Sequence, residues 1–225
     1  MEAFRHTLLC DGPTDANLIP ILNWVLRQRG GLALTVGVLA EFWRLARPPQ
    51  SLEEKIRCAL DLHPCRLLFV HRDAEKQPSS DRHLEIRRAV DRLAEAGFAI
   101  PAVAVVPVRM LEAWLLLDEN AIRHAAGNPN GKQPLDLPAP QRLEERPDPK
   151  NDLHQALRQA CGLRGRRLKK FNVSRAFWRI TDYQQDFTAL GQLPAFGQLE
   201  EAVARLAHAS FAPGFYGLTA GNGTS

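Results

Sequence analysis

The sequence predicts an α/β fold, a mostly parallel sheet flanked by helices with a C-terminal helical part. Apolar runs of strand length occur at 5–10, 32–39, 67–70 and 102–106. Stretches of helical periodicity separate them, and strands that alternate with helices pair in parallel, with helices on both faces. The third observation is size: 225 residues, 45% hydrophobic and 24% charged, suit one full core with an appended part rather than two independent domains.

The first run ends in Asp11-Gly12-Pro13-Thr14-Asp15, which stops a strand and opens a turn. Leu18, Ile21, Leu22, Val25 and Leu26 then recur with helical spacing up to Gly30-Gly31. Regular hydrogen bonding is expected from near Asn17, which leaves Pro20 in the first turn, where its missing N–H costs nothing. Ser51 with Glu54 is a capping-box signature for a helix running to about Asp61. The strand at 67–70 runs directly into His71-Arg72-Asp73-Ala74-Glu75. Asp81 is expected to cap the next helix, whose Leu84, Val90 and Leu93 are expected to face the core and which stops at Gly97. A helix over 110–118 follows the fourth strand.

From 127 to 150 the composition shifts to Pro, Asn, Gly and charge, which predicts a long loop or insertion. The expected organisation is therefore an α/β core over 1–126, that loop, a helical part packed on the core over 151–212 and a flexible tail over 213–225. No apolar stretch is long enough to cross a bilayer and no secretion signal opens the chain, so a cytoplasmic location is expected. Cys10, Cys58, Cys65 and Cys161 show no CxxC spacing and read as buried reduced thiols. A net charge of +4 with a pI near 9.1 permits a polyanionic partner without demanding one.

In open α/β sheets ligands bind beyond the carboxyl ends of the strands, and Asp11, Asp15, Asp73 and Glu75 all fall there. If the first and third strands are neighbours, these carboxylates converge. Carboxylates in such proximity repel unless a cation neutralises them, which points to Mg²⁺ or Mn²⁺ held by Asp11, Asp15, Asp73 and Glu75. No Walker-type GxxxxGK[ST] is present, and Pro78 stands where the kinase catalytic loop opened by His71-Arg72-Asp73 would need asparagine.

Asp11-Gly12-Pro13-Thr14-Asp15 and Arg72-Asp73-Ala74-Glu75 resemble the two acidic motifs of Toprim domains, which topoisomerases, primases and the overcoming-lysogenization-defect nucleases share. The stretch 107–118, with Glu112-Ala113-Trp114-Leu115, resembles a Toprim-like family of unknown function often associated with phage defence and ATPase partners. Asp148-Pro149-Lys150 and Leu193-Pro194-Ala195-Phe196 resemble that family's helical second half. The resemblance implies a Toprim-like, Rossmann-like sheet and a metal-dependent nuclease. In it Asp73 and Glu75 would hold one or two ions, and Asp11 would complete the site or act as general base. Thr14 and Asp15 would position the shell, and Glu112 would be a third acid. Toprim domains usually carry glutamate in the first motif and Asp-x-Asp in the second, whereas this chain has Asp11 and either His71-x-Asp73 or Asp73-x-Glu75. That departure leaves open a catalytically silent binding or regulatory subunit of an ATPase-containing defence complex.

Arg164, Arg166, Arg167, Lys169 and Lys170 crowd one segment, followed by Phe171, Arg175, Trp178 and Arg179. Cations neutralise phosphates and interleaved aromatics stack on unpaired bases, so this segment is the expected contact with DNA or RNA. Trp114 and its neighbouring leucines read as core.

Overall fold

The structure, a computed structural model, describes residues 2–210. The expected tail at 213–225 lies outside the described residues. Four strands, β1 (Phe4–Leu9), β2 (Thr35–Leu39), β3 (Leu67–His71) and β4 (Ala102–Val105), form one all-parallel sheet in the order β2-β1-β3-β4. Among the described residues ten α-helices accompany them: α1 (Leu18–Gln28), α2 (Leu52–Leu62), α3 (Ser79–Glu95), α4 (Glu112–Leu115), α5 (Glu119–Ala125), α6 (Pro149–Ala160), α7 (Gly165–Lys169), α8 (Val173–Phe177), α9 (Ile180–Tyr183) and α10 (Pro194–Ser210). No helix among the described residues is long and apolar enough to cross a membrane.

Alternation along the strands splits the core in two. Leu8, Leu67, Phe69, Val103 and Val105 face one layer with α1 and the helical part, while Leu9, Leu68, Val70, Ala102 and Ala104 face the other with α2 and α3. The helical part shares the first layer. Trp114 packs edge-on against Phe196 of α10 with ring centroids 5.3 Å apart, and Trp24 of α1 meets Phe187 and Phe196 at 6.1 and 6.3 Å. Thr181 donates a buried 2.8 Å hydrogen bond to Asn17.

At the β1–β2 seam, His6 lies opposite Gly37 and is fully buried. Asn23 Oδ1 holds its Nε2 at 2.9 Å. A Cβ at Gly37 would lie 2.7 Å from that nitrogen and 2.8 Å from Ile19 Cγ2. His6 is buried and held by Asn23, so Gly37→Ala should overpack the seam and destabilise the fold by about 1–3 kcal/mol in denaturant titration. A change within ~0.5 kcal/mol, the usual range for a surface site, would show that the seam adapts.

Several elements differ from expectation. Asp81 lies in the first turn of α3 behind Pro78 and is not its cap. Leu93 is buried and Val90 packs half-buried on the core as expected, but Leu84 is exposed, with Ile86 and Ala89 buried in its place. Nine residues, or 2.5 turns, separate Leu84 from Leu93, so the two point to opposite sides of the helix. The expected helix over 110–118 resolves into the short α4, and α5 follows it, capped by Asp118. The loop over 127–150 is not wholly peripheral. Leu143 is fully buried, Leu135 and Leu137 pack on the core, and Pro149-Lys150 already belongs to α6.

Candidate functional site

The strand order contains one switch point. From β1 the chain steps to β2 on one side and then returns to place β3 on the other. The crevice beyond the carboxyl ends of β1 and β3 is where such sheets bind ligands. A cleft of about 170 Å³ lies there, lined by Asp11, Asp15, His71, Arg72, Asp73 and Glu75, with Arg82 contributed by α3.

The loops after β3 and β4 are zipped together beyond the strands. Arg72, Ala74 and Glu75 donate backbone N–H groups to the carbonyls of Val105, Pro107 and Arg109 at 3.2, 3.2 and 3.0 Å. Leu111 N–H completes the run by donating to Asp73 Oδ1 at 3.2 Å. This fixes one oxygen of the Asp73 carboxylate. Glu75 and Arg109 both carry left-handed backbone, with φ of 54° and 67°. Strain of that kind in non-glycine residues costs roughly 1–3 kcal/mol and persists only where surrounding bonds hold it.

His71, almost fully buried, stands between two carboxylates. Its Nδ1 lies 3.6 Å from Asp15 Oδ2, and its Nε2 lies 3.3 Å from Asp73 Oδ1, at ion-pair distance but off hydrogen-bond alignment. Burial alone lowers the imidazole pKa, but Asp73, Asp15 and Asp11 together outweigh it and hold it above its ordinary value. Asp15 is pushed up, mainly by burial, with His71 opposing and Asp73 adding to the rise. Its Oδ2 accepts from Gly12 N–H at 3.4 Å and its Oδ1 accepts from Thr14 Oγ1 at 3.5 Å.

Glu112, the first residue of α4, is only 6% exposed. Burial raises its pKa, and Asp73 and Asp15 add to the rise while Lys150 opposes it. Glu112 is not among the residues that line the cleft. A carboxyl whose folded pKa exceeds its unfolded value leaves the folded state holding the extra proton, so stability falls as pH rises through that interval. Glu112→Gln should accordingly raise Tm above neutral pH and lose this advantage below the ordinary carboxylate value of about 4.5. Melting curves across pH check it, and equal Tm values at high pH would contradict it.

Asp11 and Glu75 behave differently from expectation. Asp11 is half exposed and closed by cations: Lys55 Nζ lies 3.0 Å from Oδ1, and Arg72 Nη1 donates to Oδ2 at 3.0 Å and to Oδ1 at 3.2 Å. Arg72 also reaches Glu85 at 3.3 Å, Arg82 pairs with Glu85 at 2.9 Å, and Arg82 Nε donates to the Asp73 carbonyl. Glu75 sits exposed on the rim. Lys55, Arg82 and Glu85 were not read as site residues, because charges spaced along α2 and α3 look like solvated helix faces.

Among the described residues, no three His, Cys, Asp or Glu side chains are grouped as a ready-made metal cage. Magnesium commonly takes only one or two protein carboxylates and fills its shell with water and substrate phosphate. Asp15 and Asp73, on either side of His71 in the cleft, offer donors of that chemistry. The residues thus fit an ion completed by substrate, not a caged structural ion.

The basic segment lies apart from the cleft in sequence, on and around α7 and α8, and its side chains are largely exposed. No family model, curated protein or solved structure matches this chain.

Proposed function

We propose that this protein is a divalent-cation-dependent, Toprim-type nuclease acting on nucleic-acid phosphodiesters, of a kind suited to phage defence. The observation that carries this reading is the convergence of Asp15 and Asp73 on His71 in the cleft at the switch point between β1 and β3. A bound Mg²⁺ or Mn²⁺ would supply charge for the developing oxyanions and lower the pKa of an attacking water. Asp73, pinned by Leu111 N–H, presents its other oxygen in a fixed direction. Asp15 and Glu112 add negative charge behind it. Arg72, Arg82 and Lys55 stand around the mouth, where guanidinium and ammonium groups can hold phosphate oxygens once they leave Asp11 and Glu85.

The test is cleavage of plasmid DNA and of RNA with Mg²⁺ or Mn²⁺, against the same reactions in EDTA. Cleavage that EDTA abolishes supports the reading, and no cleavage of either polymer with either ion defeats it.

A second reading draws on a specific observation, the ring of internal cations. His71 fills the space between Asp15 and Asp73, and Lys55 with Arg72 neutralises Asp11, so the chain's own cations occupy positions an ion would take. On that reading the protein is a silent binding or regulatory subunit, with an ATPase as its expected partner. It predicts no magnesium affinity in the millimolar range and stable association with a partner protein.

A further inference from the structure

Between residues 153 and 181 the chain has eight Lys and Arg and no Asp or Glu. The other residues therefore hold 21 cations against 25 acids, a net of −4, so the positive balance of the whole chain resides in this one stretch. Elsewhere Arg29, Arg72, Arg82, Arg92, Arg123 and Arg146 each pair with a carboxylate. Among the described residues, no ion pair reaches Arg158, Arg164, Arg166, Arg167, Lys169, Lys170, Arg175 or Arg179. Cations left unpaired over such a length repel one another, and a polyanion relieves that repulsion while releasing its own counterions.

Shape narrows the class of polyanion. On α8 and its C-cap, Val173, Ala176 and Phe177 turn inward, while Arg175, Trp178 and Arg179 turn out. Trp178 is 39% exposed, with Arg175 and Arg179 on either side of it in sequence. Arg179 also lies over the ring of Tyr183, 5.1 Å from its centroid, and Tyr183 stacks at 5.2 Å on His124. At the far end of the segment, a cleft of about 250 Å³ opens between Arg158 and Arg164, with Gln133 and Leu163 on its walls. Duplex backbone needs only the cations. An exposed indole flanked by arginines offers something a duplex cannot use, since its bases are already stacked.

We propose that this face grips a single-stranded stretch of nucleic acid, with the cations on its phosphates and Trp178 stacked on an unpaired base. The proposal deepens the phosphodiester reading and rests on it for the class of polymer. The stretch opens with Arg158 in the last turn of α6 and continues through α7 and α8.

The test is anisotropy of a short labelled oligonucleotide with the full chain in EDTA, single-stranded and as the matching duplex, over a salt series. The single strand should bind more tightly, with log K falling by about 0.7 per neutralised phosphate as log salt rises. Trp178→Ala, with Tm as the control for folding, should weaken single-strand binding by about 5- to 150-fold, from the ~1–3 kcal/mol that stacking on one base contributes. It should leave duplex binding unchanged. Arg166→Glu with Arg167→Glu should weaken both. Tighter binding to duplex, a silent Trp178→Ala, or binding to anionic vesicles but not to oligonucleotides would each overturn the proposal. Retained single-strand binding with no metal-dependent cleavage would defeat the nuclease reading alone.

Discussion

Asp73→Asn should abolish metal-dependent cleavage while leaving the fold intact. Asparagine keeps an Oδ1 acceptor for Leu111 N–H, so the zipped loops after β3 and β4 retain their last bond, and only the charge is removed. Loss of an outer-shell partner at a metal site costs roughly 10–100-fold in affinity or activity, and loss of a direct carboxylate donor should exceed that. Single-turnover cleavage in Mn²⁺, with Tm as the control for folding, reads the effect. Asp73→Ala is the poorer variant, because it also strands the Leu111 N–H. Glu75→Gln, on the exposed rim, should cost less than Asp73→Asn. Undiminished cleavage by Asp73→Asn at unchanged Tm would remove Asp73 from the chemistry.

The largest effect on stability is expected at Trp114. Its side chain is 1% exposed and packs edge-on against Phe196, so it joins the loop after β4 to the last helix. Truncation there removes the aromatic contact and leaves a cavity between the sheet layer and the helical part. Trp114→Ala should cost about 3–5 kcal/mol in denaturant titration. Trp114→Phe keeps most of the ring packing and discards an indole N–H that has no hydrogen-bond partner, so it should cost clearly less. Equal losses in the two variants would contradict an account based on packing volume. Because Glu112 and Trp114 share α4, Trp114→Ala should also lower any activity that depends on the placement of Glu112.

Much of the framework was legible because strand-length apolar runs end abruptly in polar turns. Those endings placed Asp11, Asp15, Asp73 and Glu75 at one edge of the sheet, but only the strand order made β1 and β3 neighbours. Which acids would turn inward was not legible. Asp11 and Asp15 share one turn, yet Asp15 faces His71 while Asp11 faces Lys55 and Arg72, a choice set by side chains arriving from α2 and β3. The left-handed backbone at Glu75 and Arg109 carries no glycine to announce it. Leu84 was misassigned for a simpler reason, since a helical face has to be counted in turns and Leu84 fails that count against Leu93. The charge asymmetry of the helical part was available all along in the eight cations and absent acids between 153 and 181.

The central claim is that the acids at the β1–β3 switch point take a divalent cation. Calorimetric titration of Mg²⁺ or Mn²⁺ into the purified chain and into Asp73→Asn tests it most directly, with no need for a substrate. Saturable binding in the millimolar range, lost in Asp73→Asn, is the predicted result. No binding by either protein would contradict the claim and leave His71, Lys55 and Arg72 as the permanent counter-charges of a silent site.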